Sequence, residues 1–298
     1  MLCRGSPTAS GVYPVTEQYR EALFATGSSS ILNGVFCEPV DADRVGVCIL
    51  FLNAGLIHRV GMGRFAVKLA RHFASSGFVS CRFDFPGVGD STALQARHSH
   101  LTAAPGEVSS VIDALERETG LTRFVLWGIC DGADAGFVAA LHDQRVEGVV
   151  QVDPILYRTG RWYWNHYGQR VFSPLFWRER LTRFMVSGKS DASGALDAES
   201  YRFSFESSVS AREMLSKLEL EEGYGALVSR NVRLLIIITG GCSYTYNYAG
   251  QFFDSFTSLR HSDKVTLQYL PNASHILAES ISQSAVKAKL GDWLQRLS

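Results

Sequence analysis

The residue in this chain best placed for chemistry is a cysteine with glycine two positions away on each side. The stretch runs Phe124-Val125-Leu126-Trp127-Gly128-Ile129-Cys130-Asp131-Gly132-Ala133-Asp134. An apolar run ends in Gly-x-Cys-x-Gly, and a small-residue helix pattern follows at once. This is the pattern of a nucleophile elbow, with sulfur where a serine oxygen is usual. The glycines leave room for a sharp strand-to-helix turn that lifts the Cys130 sulfur clear of a sheet. At a helix N-terminus the dipole favours the thiolate, the form that attacks carbonyl carbon. The competing reading is an inert buried cysteine, since free cysteine is among the most buried residue types. An elbow would draw its oxyanion hole from the backbone N–H groups of Asp131 and of Gly55 or Leu56.

Positioning such a group requires an ordered sheet, and the sequence alternates accordingly. Residues 17–26 and 30–38 read as an opening hairpin around Gly27-Ser28-Ser29, after a small and polar 1–14 whose composition predicts little order. Val45 to Leu52 is near-continuously apolar, as a strand buried on both faces should be. Phe65, Leu69, His72, Phe73 and Ser76 share a helical face closed by Gly77. A strand is predicted at Phe78 to Phe83 and a helix over Glu107 to Glu118. The elbow strand Phe124 to Trp127 leads into a helix over Ala135 to Arg145, and Val146 to Val152 follows as a strand ending at Asp153-Pro154. After a break, alternation resumes with a strand at Val232 to Ile238, a helix near 248–260, the strand Val265 to Leu270 and a last helix carrying Val286, Leu290, Trp293 and Leu294.

The fold class this implies is α/β: a mostly parallel sheet with helices on both faces and sites at the carboxyl ends of its strands. Residues 1–153 and 228–298 would form the core. Residues 154–227, rich in Trp162, Trp164 and other aromatics, would be an inserted cap that roofs an apolar pocket, with Trp162 and Trp164 touching substrate. The alternative is a helical excursion that only adds core.

The chain has 298 residues, 46% of them hydrophobic, and 29 basic against 29 acidic side chains. No global field exists to attract nucleic acid or an anionic membrane. No apolar leader is expected at the start, and apolar runs such as Leu234 to Ile238 are too short to span a bilayer. The expectation is a soluble, cytoplasmic protein. The six cysteines lack metal-ligand spacing and a disulfide framework, so no metal is expected. Gly87-x-Gly89-Asp90 lacks the Lys-Ser/Thr ending of a phosphate loop, and no cofactor is implied.

Three stretches in order resemble the α/β-hydrolase superfamily: Asn53-Ala54-Gly55, Asp84-x-x-Gly87-x-Gly89-Asp90-Ser91, and the Gly-x-Cys-x-Gly elbow. Leu270-Pro271-Asn272-Ala273-Ser274-His275 resembles that superfamily's histidine loop, and the likeness covers about residues 17–297. At closer range the chain is similar to the exosortase-A-system-associated hydrolases. That similarity lies in His58-Arg59-x-Gly61, Arg82-Phe83-Asp84, Trp127 to Gly132, and Phe176-Trp177 with Arg180-Leu181.

The resemblance implies His275 as the base. His142 and His72 fall on helices, His98 and His100 in a polar loop, and His166 in the cap. It also implies an acid after the strand Val232 to Ile238, where this chain has Thr239-Gly240-Gly241-Cys242 and no carboxylate. A second superfamily position, the end of the strand after the elbow helix, holds Asp153. Asp153 is therefore the expected orienting acid, against a plain reading as a turn residue before Pro154; Asp254 is a further candidate. His58 and Arg59 could bind a substrate carboxylate or phosphate, or Arg59 could pair structurally with Asp84 or Asp90.

Cysteine makes the acyl-enzyme a thioester, nearly isoenergetic with a thioester donor. The implied function is acyl transfer or thioester cleavage, with an acyl or peptidyl carrier protein or coenzyme A as donor. Two alternatives stay open: a lactone or ester hydrolase resembling dienelactone hydrolase, and a non-catalytic binding member of the fold.

Overall fold

Runs of β-branched and aromatic residues with no polar alternation form the centre of the sheet, because a strand covered on both faces has no wet side. In the computed structural model these are β3 (Cys48–Phe51), β4 (Val79–Phe83), β5 (Phe124–Ile129), β6 (Val146–Val152) and β7 (Arg233–Thr239). β1 (Tyr19–Thr26), β2 (Leu32–Pro39) and β8 (Val265–Leu270) complete eight strands in the order β1-β2-β4-β3-β5-β6-β7-β8. β2 runs antiparallel to β1 and β4; every pair from β4 to β8 is parallel. The structure describes residues 18–27, 31–92, 100–168 and 215–297. The opening segment, His98 and residues 169–214, which hold Phe172, Phe176, Trp177, Arg180, Leu181 and Phe184, lie outside the described residues.

Side chains alternate between two cores. Ile49, Phe51, Trp127, Val150 and Ile237 face α1 (Phe65–Ala74) and the C-terminal helix. Leu50, Leu126, Val149 and Ile236 face α2 (His100–Thr119) and α3 (Asp131–His142). Four further helices are α4 (Gly160–Tyr163), α5 (Lys217–Ser229), α6 (Gln251–Ser255) and the C-terminal α7 (Ser280–Leu294). No helix among the described residues is long and apolar enough to cross a membrane.

Several boundaries differ from those the pattern predicts. α2 begins seven residues before the predicted Glu107: Leu101 and Ala104 already bury an apolar side in its first turns, and Pro105 is accommodated inside the helix. α3 begins at Asp131 rather than Ala135, since the elbow passes directly into helix with no linker. The helix expected over 248–260 stops at Ser255. Phe256 leaves helical angles (φ −127°, ψ 75°) and packs its buried ring against Tyr224 and Phe252.

One buried polar chain ties three layers behind the site. Gln151, the penultimate residue of β6, donates to Ala133 O of α3 at 3.0 Å and accepts from the Tyr224 hydroxyl of α5 at 2.9 Å. Removing that hydroxyl strands a buried amide oxygen. Tyr224→Phe is expected to lower stability by about 1–3 kcal/mol. Urea unfolding with an unchanged m-value would report it, and a variant as stable as the parent would refute the assignment.

Candidate active site

The elbow is built by mutual close approach of two glycines. A Cβ on Gly128 would lie 2.2 Å from the backbone of Gly132, and a Cβ on Gly132 would lie 2.3 Å from Asn53 O. No side chain fits at either position. Between them Cys130 takes φ 54° and ψ −122°, a conformation that costs an ordinary residue about 1–3 kcal/mol. The strained turn leaves the sulfur partly exposed at the start of α3, where the first N–H groups have no intrahelical acceptor. Asp131 therefore presents its backbone toward the site, and its side-chain Oδ1 accepts from Cys130 Sγ at 3.5 Å.

The loop after β3 is held from beneath. Asn53 donates to Ile57 O at 2.8 Å and to Asp84 Oδ1 at 3.0 Å, and its Oδ1 accepts from Phe85 N–H at 2.7 Å. Gly55 has φ 55°, and its α-carbon faces the Asp131 carboxylate, which a Cβ would meet at 3.3 Å. Leu56, beside it, is exposed. The three expected oxyanion-hole positions, Asp131, Gly55 and Leu56, thus belong to two adjoining segments, and Asp131 and Gly55 border the same cavity as Cys130.

Three strand ends meet at His275. It sits after β8, with its Nδ1–H donating to Asp153 Oδ2 at 2.8 Å. Asp153 ends β6 at φ 50°, left-handed backbone that aspartate tolerates better than most residues. Its buried carboxylate also accepts from Thr239 N–H at 2.7 Å and Thr239 Oγ1 at 2.6 Å, both at the end of β7. Cys242, just beyond, brings Sγ to 3.4 Å from the same imidazole nitrogen. Cys130 is a further hydrogen-bond partner of the ring. Burial opposes charge on the imidazole, but the hydrogen bonds to Asp153, Cys130 and Cys242 outweigh it and raise His275 to about 12. Burial pushes the Cys242 thiol up to about 11, so it stands beside the ring as a neutral group.

The sequence reading missed how this convergence is made possible. A Cβ on Gly241 would lie 2.2 Å from His275 N, and one on Gly240 would lie 1.9 Å from Pro271 O. The Gly240-Gly241 pair lets the β7 loop back directly onto the histidine loop. The doubled glycine was the available signal. Thr239 as a double donor to Asp153 carried no sequence signal at all.

Other expected residues divide between the wall of the same cavity, His58 and Arg59, and the packing around it. Arg59 is taken by two aspartates, pairing with buried Asp84 and with Asp90 at 2.7 Å. Arg59 thus makes structural ion pairs, and it lines the same cavity as Cys130 and His275. His58 Nε2 lies 3.4 Å from Asp84 and 3.6 Å from Asp90 in the same cluster. Trp162 is 2% exposed, stacked on His166 and packed against the 243–247 loop, and it does not line the cavity. Trp164 is exposed and does not line it either. Both belong to the segment around α4, which packs against the 243–247 loop. Asp254 accepts from the Tyr248 hydroxyl and pairs with Arg260, away from the imidazole. His142 bonds Val138 O on its own helix.

The cavity itself is about 150 Å³, floored by Phe51, Phe65, Trp127 and Ile129, with Cys130 and His275 in its wall. Asp153, Cys242 and His275 offer ligand atoms within 4.8 Å of one another, as do His58, Asp84 and Asp90. In the first group the Nδ1–carboxylate hydrogen bond engages the atoms a metal would need; in the second, Arg59 engages both carboxylates.

No family model matches the chain, and no curated protein matches it by sequence. Solved structures do resemble it. An esterase from Pyrococcus furiosus superposes with a TM-score of 0.58 at 12% identity, covering 99% of this chain and 98% of that one. Mouse alpha/beta hydrolase domain-containing protein 10 gives 0.56 at 14%, covering 93% and 99%. DcsB, in complex with its substrate analogue, gives 0.54 at 15%, also covering 93% and 99%. The chain has the α/β-hydrolase fold: an eight-stranded, mostly parallel sheet flanked by helices.

The pairing has a pH signature. A group raised in the folded protein stabilises it fully below its ordinary value, here 6.5, and loses that contribution as pH climbs toward about 12. Nitrogen NMR of the imidazole should therefore show His275 still protonated well above pH 7. In Asp153→Asn the titration should fall back toward 6.5. Identical titrations in the two proteins would sink the assignment of Asp153 as the source of the shift.

Proposed function

We propose that the protein processes acyl thioesters through a covalent intermediate on Cys130, with His275 as base and Asp153 as the orienting acid. The observation that carries this reading is the 2.8 Å bond from His275 Nδ1–H to Asp153, on a ring that also hydrogen-bonds Cys130. With Nδ1 held by the carboxylate, Nε2 already carries the thiol proton in the resting pair, and the sulfur attacks the carbonyl carbon as its thiolate. The displaced thiol of the donor leaves with that proton. The backbone N–H groups of Asp131 and of Gly55 or Leu56 would hold the developing oxyanion.

Sulfur is the reason for choosing thioesters. The bond formed to Cys130 is of the same kind as the bond broken in a coenzyme A or carrier-protein thioester, so transfer runs without a large uphill step. A small apolar cavity suits a short or aromatic acyl group. The similarity to exosortase-A-system-associated hydrolases belongs to the same reading, with a carrier-bound intermediate as the preferred donor. Ester or lactone hydrolysis is the second reading, favoured by the esterase among the structural likenesses.

Incubation with short-chain and phenylacetyl thioesters, followed by intact-mass analysis, tests the proposal. An acyl adduct is expected on the parent protein and none on Cys130→Ala. Rapid lactone turnover with no thioester reactivity would favour the second reading, and no adduct from any donor would leave a non-catalytic member of the fold. Asp153→Asn should slow acylation by about a hundred- to ten-thousandfold. Because Cys242 reaches the same ring nitrogen, Asp153→Asn/Cys242→Asp should recover part of that loss. An acylation rate untouched by Asp153→Asn would move the acid elsewhere.

A further inference from the structure

The opposite end of the sheet carries a second cavity, of about 420 Å³, unlike the first in every respect. It opens at the amino-terminal ends of the last four strands. Arg123 immediately precedes β5, Glu147 is the second residue of β6, Arg233 is the first of β7, and Lys264 immediately precedes β8. Arg230 enters from the α5–β7 turn and Arg296 from just after α7. Among the described residues, five cationic side chains thus line it against the single carboxylate of Glu147. The chain as a whole is neutral, so this excess is a local construction.

The partners of these cations leave most of the charge uncancelled. Arg230 spends its hydrogen bonds on three neutral carbonyls at the end of α3, Ala140, Leu141 and Asp143, at 2.8–3.3 Å. Arg123 takes up Glu147 at 2.8 Å and also donates to Leu297 O. Lys264 lies 3.6 Å from Asp263, whose side chain is 81% exposed. Arg233 and Arg296 make no side-chain hydrogen bond or ion pair among the described residues. Gathering five cations costs stability through mutual repulsion unless an anion shares the space.

We propose that this cavity is a binding site for a multivalent phosphate anion of the diphosphate class. Guanidinium forks match phosphate oxygens two at a time, and four arginines around one polar space suit two linked phosphates better than one carboxylate. Among the described residues, Val146 and Leu297 are the only apolar ones lining the cavity, too little to seat an acyl chain or a flat base. The site therefore recognises the charged group itself, whether free pyrophosphate or the diphosphate of a nucleotide. β7 alone separates the two cavities by about 20 Å of strand, so this anion is no part of the thiol chemistry.

Calorimetric titration with inorganic pyrophosphate, with adenosine diphosphate as a second arm, tests the site. The parent protein is expected to bind pyrophosphate and melt at a higher temperature in its presence, with affinity falling as salt is added. Arg233→Glu/Arg296→Glu should bind at least about tenfold more weakly. Lys217→Glu, the same kind of charge reversal far from the cavity, should bind as the parent does. Exposed Arg296→Gln alone, with a smaller loss, covers the case in which the double variant fails to fold. Equal or tighter binding of the nucleotide would identify a nucleotide diphosphate as the source. Absence of pyrophosphate binding by the parent, nucleotide binding without it, or equal affinity in the variants overturns the proposal.

Discussion

The imidazole of His275 is held by groups from different strand ends, and much of the local architecture is arranged so that they can meet. Asp153 comes from the end of β6, Thr239 and Cys242 from the end of β7, His275 from the loop after β8, and Cys130 from the end of β5. Parallel neighbours in register bring their carboxyl ends to one level, which antiparallel strands would not do. The final approach is steric. Gly128, Gly132, Gly240 and Gly241 each stand where a single added carbon would strike backbone. Backbone strain is concentrated at the same place, at Cys130 and Asp153, and the surrounding sheet holds both against relaxation.

Hydrogen-bond donors, rather than burial, distinguish the two enclosed groups beside the imidazole. Cys242 is almost completely enclosed, and its thiol, raised to about 11, stays protonated at neutral pH. Asp153 is equally enclosed but accepts three hydrogen bonds, from two Thr239 donors and His275. A buried charge survives when donors replace the water it has lost. Three donors and a cationic ring do that for Asp153, and nothing comparable surrounds Cys242.

The same logic explains Arg59. Its position beside the cavity suggested a substrate contact, yet Asp84 is wholly buried and requires a cation more than any ligand does. Arg59, the Asn53 amide and the Arg59 backbone N–H all converge on that carboxylate. The cluster fixes the loop that carries Gly55, so its bearing on the site is through positioning. Gly89, at φ 53° with no room for a Cβ beside Asp84 and His58, is part of the same arrangement.

By itself the sequence determined the strand-helix alternation, the elbow at Cys130 and the order in which Cys130, Asp153 and His275 occur. These are local properties: period, glycine spacing and polarity change within a few residues of one another. Element ends were less legible, as at α2 and Phe256, because helix limits depend on what the ring or stripe packs against. Only tertiary structure decided that Asp153 and Cys242 share one nitrogen, that Thr239 charges its hydrogen bonds to Asp153, and that Trp162 packs away from the cavity. Those facts depend on contacts between residues 33 to 122 positions apart along the chain, and no spacing rule encodes such a distance. The basic cavity is the extreme case, since its cations are scattered singly through a neutral sequence and gather only when four strand starts are laid side by side.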